Sequence, residues 1–146
     1  MYSTHHLKKE LKMDQKDLYA SGEAKMLEFS HPHDSSIPSF EQVSDQLNAL
    51  APGMDHLIKG FVFGQIYTRE GLDNQQRILI TLSSLVSLGA EKQLNLYINN
   101  ALNVDVSPRQ IIETFVHLIP YIGFPRVLNA LTVTQEVFKQ RSITAE

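Results

Sequence analysis

Apolar residues recur along this chain at three- and four-residue steps, with no sustained alternation, and that spacing predicts helices throughout. Leu18, Met26, Leu27 and Phe29 form a partial stripe over residues 16–29, with Asp14 placed to cap it and Gly22 weakening its middle. The following stretch, Ser30 to Pro38, contains two prolines among Ser, His and Asp and reads as a connection. Ser39 with Gln42 three residues on is a capping-box pattern, after which Phe40, Val43, Leu47 and Leu50 share a face. Ala51-Pro52-Gly53 interrupts the pattern. Residues 54–67 then carry Leu57, Ile58, Phe61, Val62, Phe63 and Ile66, a helix apolar on most sides that needs cover.

The run from Leu72 to Leu88 is apolar on every face, with Asp73 as N-cap and Gly89 as C-cap, and reads as the central buried helix. Ser83, Ser84 and Ser87 within it are small enough for a neighbouring helix to approach, and their hydroxyls can bond back to the preceding turn. A helix over residues 90–102 follows. Ser107-Pro108-Arg109-Gln110 supplies an N-cap, a proline at the first helical position and a capping glutamine. Pro120 should kink or end the helix that begins there, and Gly123-Phe124-Pro125 turns the chain into a last helix over residues 126–140. The expected fold is all-α, a bundle of about six to seven helices. Residues 1–13 read as a loosely held arm and 14–146 as one domain.

Composition narrows the chemistry. Thirteen Lys+Arg against 16 Asp+Glu, a net charge of −3, leave no cationic field for a phosphate backbone, so no nucleic-acid partner is expected. The polar N-terminus and the short, interrupted apolar stretches predict neither a signal peptide nor a membrane span, hence a cytoplasmic protein. The absence of cysteine removes disulfides, thiolate metal sites and thiol nucleophiles. His31 and His33 flank Pro32 beside Asp34, but no further ligand stands at a recognisable spacing, and no metal or cofactor is expected.

The stretch Gly64 to Asp73 followed by Arg77-Ile78-Leu79-Ile80-Thr81-Leu82 resembles the entry to the core of the carboxymuconolactone decarboxylase family. Ala101 to Ser107, His117 to Pro125 and Asn129-Ala130-Leu131 are similar to its later signatures. The resemblance implies an alkylhydroperoxidase D-like bundle around a central helical hairpin, assembled as a homo-oligomer (dimer, trimer or hexamer) with pockets for small acids near subunit contacts. It also implies, for the decarboxylase-type branch, loss of carbon dioxide from an unsaturated lactone acid without a cofactor. The positions of the sister peroxidases' glutamate, two cysteines and histidine fall on Ile78, Ala90, Gln93 and Tyr97, so thiol peroxidase chemistry is excluded. Arg77, Tyr121, Gly123 and Pro125 match the decarboxylase branch, whereas Gln65 stands where it commonly has Glu and Tyr97 where it commonly has His.

Decarboxylation of such an acid needs a group to anchor a remote carboxylate, a proton donor for the resulting dienolate and apolar walls against the departing carboxylate. Within the resemblance, Arg77 is the candidate anchor, His117 the proton carrier and Tyr97 an accessory catalytic group, with Tyr121 and Gln65 as substrate-binding positions. Each has a plainer role: Arg77 as an ion-pair partner or a side chain reaching to solvent, His117 as a hydrogen-bonded core residue, the tyrosines as packing. Two functions remain open, a carboxy-lyase and a non-catalytic oligomeric module that binds a small molecule or another protein.

Overall fold

The computed structural model describes residues 13–144 of the chain. Among them are seven α-helical segments, one π-helical segment and no strand: α1 Gln15–Leu27, α2 Phe40–Leu50, the π-helix His56–Ile66, α3 Asn74–Leu88, α4 Glu91–Asn103, α5 Pro108–His117, α6 Ile119–Ile122 and α7 Phe124–Gln140. The all-α expectation holds, and the helix termini follow local chemistry. Asp73 and Ser107 each accept from the backbone N–H three residues on while Gln76 and Gln110 bond back, closing two capping boxes at roughly 1 kcal/mol each. Pro108 opens α5. Gly89 ends α3 at φ 71°, in the left-handed region where glycine is unstrained. Asp14 occupies the N-cap of α1, yet its side chain caps nothing. Pro120 ends the helix outright: α5 stops at His117, and the proline sits in the first turn of α6.

The chain divides into two compact units. The first holds α1, α2 and the π-helix, and two glycines set its packing. A Cβ on Gly22 would run into the Lys59 carbonyl, and one on Gly64 into the Leu18 carbonyl. Gly22 is therefore the point of closest approach between α1 and the π-helix rather than the weak spot that helix propensity alone suggests. The segment expected as an ordinary helix over 54–67 is wound more widely, with the Tyr67 N–H reaching back five residues to Val62 O at 2.9 Å. Lys59, Phe63 and Gly64 form its buried side, and the Phe63 ring packs against Phe40 at 4.9 Å and Tyr67 at 4.5 Å between centroids. The deep cover expected for this helix is not provided by the described residues: Leu57, Ile66 and Phe61 (53%) are exposed. The α2 stripe is likewise open at its C-terminal end, at Leu47 and Leu50.

The second unit holds the 29–39 connection and α3 to α7. Its core is built from residues three and four apart: Ile78, Leu82 and Val86 of α3, Leu94, Ile98 and Ala101 of α4, Ile111 and Phe115 of α5, and Val127, Ala130 and Val137 of α7. Helices α3 and α4 pack on each other, as the expected hairpin requires. Polar side chains then tie the ends of the elements. Gln75 Nε2 donates to Val104 O (2.9 Å), Asn103 Nδ2 to Phe29 O (2.8 Å) and Arg126 Nη1 to Ser87 O (2.6 Å), the last satisfying an orphan carbonyl at the end of α3. Helix α3 is buried on one face only, since Ile80 and Leu88 (77%) are exposed. Ser83 and Ser87 bond back to Leu79 O and Ser83 O, both at 2.8 Å. With Ser84, Leu79, Ile80 and Leu88 they line an open concavity of about 620 Å³ instead of a close helix contact.

Candidate functional site

His117 ends α5, and the break at Pro120 places Tyr121 one short turn further on, so the two rings meet at 5.5 Å between centroids, tilted by 45°. Both side chains are exposed, which overturns the plainer reading of His117 as a core histidine. An imidazole beside a phenol can pass a proton at either ring nitrogen, and the exposed ring is reachable by a ligand. Gly123, at φ 85°, forms the turn behind this pair, and Pro125 starts α7, the backbone roles expected of them.

Arg77 lies in the first turns of α3, half-buried, and its Nε donates back to Leu72 O at 3.2 Å. That bond holds the guanidinium over the entry to the helix. Tyr97, on α4, is half-buried between Leu96 and Ile98 of the core. The second unit thus carries four of the candidate residues on α3, α4, α5 and α6.

Gln65 belongs to the first unit. It lines a cavity of about 320 Å³ with Gln15, His56, Leu57 and Phe61 among its walls. His56 is not among the residues that the sequence pattern points to. It starts the π-helix, its ring packs against Tyr19 at 4.9 Å, and it brings an ionisable group to the apolar pocket of Gln65. The signal present in the chain is an imidazole immediately before an apolar run.

Lys59, in that same run, is equally unexpected at 8% exposure. Its Nζ donates to the Tyr19 hydroxyl at 3.2 Å, and that hydroxyl donates to Asp55 Oδ2 at 3.0 Å. Asp45 Oδ1 lies 3.7 Å from the ammonium, and the Tyr19 ring centroid 5.2 Å. Burial works against the Lys59 charge, but the Tyr19 hydroxyl and the nearby Tyr19, Glu23 and Asp45 charges outweigh it, leaving the pKa above the ordinary lysine value. A lysine held charged in this way is a structural cation, not a nucleophile.

A polar cleft of about 760 Å³ opens in the second unit, beside the 29–39 connection and the end of α7. Arg141 Nη1 donates there to Asn99 O (3.1 Å), Asn99 Oδ1 (3.2 Å) and Asn103 Oδ1 (3.0 Å). Asp34 accepts from the Ser36 hydroxyl (2.6 Å) and N–H (2.9 Å). Those two bonds, helped by the more distant charges of His31 and Arg141, hold its carboxyl below the usual range. Burial draws the Arg141 pKa down from its ordinary value. Arg77, Tyr97, His117 and Tyr121 line neither this cleft nor the other concavities described above.

The all-α architecture agrees with the family fold. The model of the carboxymuconolactone decarboxylase family matches residues 52–136, more than half of the chain, and the protein belongs to that family. Over 102 residues it is 29% identical to a 4-carboxymuconolactone decarboxylase of Acinetobacter baylyi, covering 70% of this chain and 76% of that protein. It is 35% identical over 85 residues to a nitrosuccinic acid decarboxylase of Metarhizium robertsii (58% of this chain, 59% of that one). An uncharacterised 15.0 kDa protein of Paracoccus denitrificans is 34% identical over 80 residues (53% and 60%). The chain thus spans about three fifths of the latter two relatives. No helix among the described residues is long and apolar enough to cross a membrane.

Proposed function

We propose that this protein is a cofactor-free carboxy-lyase for a small carboxylic acid whose neighbouring group accepts the electron pair left by carbon dioxide. The observation that carries the reading is the exposed His117–Tyr121 pair, set at a helix break within a chain of this family. The names of two relatives support the substrate class, because a lactone carbonyl and a nitro group are both electron sinks. In this reading Arg77 holds a spectator carboxylate, and the C–C bond to the departing carboxylate breaks as its electrons flow into the sink. His117 then delivers a proton to the resulting carbanion equivalent, with Tyr121 orienting the imidazole. Tyr97 serves as a neutral hydrogen-bonding position.

An exposed imidazole in bulk water is a poor place for this step, since excluded water strengthens the electrostatics that stabilise developing charge. We therefore propose a homo-oligomer in which another copy covers exposed apolar side chains such as Leu57, Phe61, Ile80 and Leu88. The test is carbon dioxide release from 4-carboxymuconolactone and from nitrosuccinate, with His117→Ala compared at equal concentration. Turnover lowered about 100-fold or more by that substitution is expected, the range general acid–base groups supply. Absence of carbon dioxide release from both acids would refute the lyase reading and favour a binding role on the same helices.

A further inference from the structure

None of the residues of the proposed reaction lines the cleft between the 29–39 connection, α4 and the end of α7, and several of its polar groups keep unused hydrogen-bonding capacity. Arg141 commits Nη1 to Asn99 and Asn103, while among the described residues nothing takes its Nε or Nη2 donors. His31 accepts the His33 N–H at Nδ1 (3.2 Å), which leaves Nε2 as the donor of the neutral ring. Asn95 accepts from Asn99 Nδ2 at 3.1 Å and, among the described residues, keeps its own amide N–H groups unengaged. All three side chains line the one cleft. Asp34 lines it too, and its carboxylate forms no ion pair with Arg141 although the two charges act on one another.

A fixed cation and a fixed anion that share a cavity without touching leave room for a molecule carrying both charges. Ile37, Pro38 and Ile143 supply an apolar wall beside them. We propose that this cleft binds a zwitterionic α-amino acid with an aliphatic side chain, its carboxylate received by Arg141, Asn95 and His31, its ammonium by Asp34, and its side chain by the Ile37–Pro38–Ile143 wall. The volume falls in the range of small-molecule pockets. A plain carboxylate would satisfy the donors but be repelled by Asp34, and a plain amine would meet the opposite fault at Arg141.

The test is saturation-transfer difference NMR on the full chain with L-leucine, 4-methylpentanoate, which lacks the ammonium, and 3-methylbutylamine, which lacks the carboxylate. Saturable binding of leucine at least about tenfold tighter than either fragment is expected, since each lost charge-assisted hydrogen bond costs at least that factor. Arg141→Gln and Asp34→Asn should each weaken leucine about tenfold. Arg141 anchors the end of α7, so Asp34→Asn carries the test if the arginine variant fails to fold; the amide oxygen that this change leaves in place would still accept from Ser36 and preserve the turn. Equal binding of 4-methylpentanoate and leucine, unchanged affinity in Asp34→Asn, or no saturable signal from leucine would overturn the proposal.

Discussion

Gly22 supplies the sharpest prediction, because helix propensity and tertiary packing call for opposite outcomes. By propensity, Gly22→Ala inside α1 should stabilise the helix by about 1 kcal/mol. In the fold, the new methyl would occupy the space of the Lys59 carbonyl and approach the Gly64 N–H, both backbone atoms that cannot rotate away. Helix α1 and the π-helix would have to part by on the order of 1.5–2 Å to restore ordinary contact distances. A gap of even 1 Å forfeits a quarter to a half of each dispersion contact across the interface, and overpacking of this kind costs about 1–3 kcal/mol or more. Because the obstruction is main chain, the upper end applies, and a net destabilisation of about 2 kcal/mol is expected after the propensity gain. At an m-value of about 2 kcal/mol/M, the urea midpoint falls by about 1 M. Gly60→Ala is the internal control. A Cβ there meets nothing within 4 Å, so its midpoint should hold or rise by up to about 0.5 M. Urea titration followed by circular dichroism decides the matter: a Gly22→Ala midpoint at or above wild type would refute the argument from close approach.

Ser107→Ala removes the hydroxyl that accepts the Gln110 N–H and should cost about 1 kcal/mol, seen as a lower midpoint at unchanged m-value. The Lys59 pKa is raised in the folded state, so the stability it contributes is fully present below the unfolded lysine value of about 10.4 and is lost as pH rises through the higher folded value. Tyr19→Phe deletes the acceptor for that ammonium, so its urea midpoint should lie below wild type at about pH 8, and the alkaline fall in a series from about pH 8 upward should be shallower. Asp34 has the opposite sign: its depressed pKa stabilises above the unfolded carboxyl value and is lost as pH falls through the folded one, so Asp34→Asn should flatten the acid limb. Light scattering after size exclusion should give a mass above that of one chain at micromolar concentration, and Phe61→Glu should lower it; a wild-type monomer would remove the oligomer from the proposal.

Helices whose ends are written in local chemistry were legible from the order of residues alone. Asp73 with Gln76, Ser107-Pro108 with Gln110, Gly89 and Gly123 satisfy or terminate backbone groups within a few residues of themselves, so distant neighbours do not enter. Apolar spacing likewise placed helices α3 to α5 and α7, though not that α3 buries one face only, and the motifs around Arg77 and His117 carried the family. Other features depend on which surfaces meet, and they emerge only in three dimensions. Gly22 reads as a propensity defect until the Lys59 carbonyl is found against it, and the run over 54–67 reads as an ordinary helix until Tyr67 bonds to Val62. The burial of Lys59 depends on Tyr19, forty residues earlier, whose hydroxyl accepts from its ammonium. The cleft gathers His31, Asp34, Asn95 and Arg141 from across more than a hundred positions of sequence, and no periodicity in the chain links them. Such contacts arise where two backbones or distant side chains converge in space, which a pattern of apolar and polar positions does not encode.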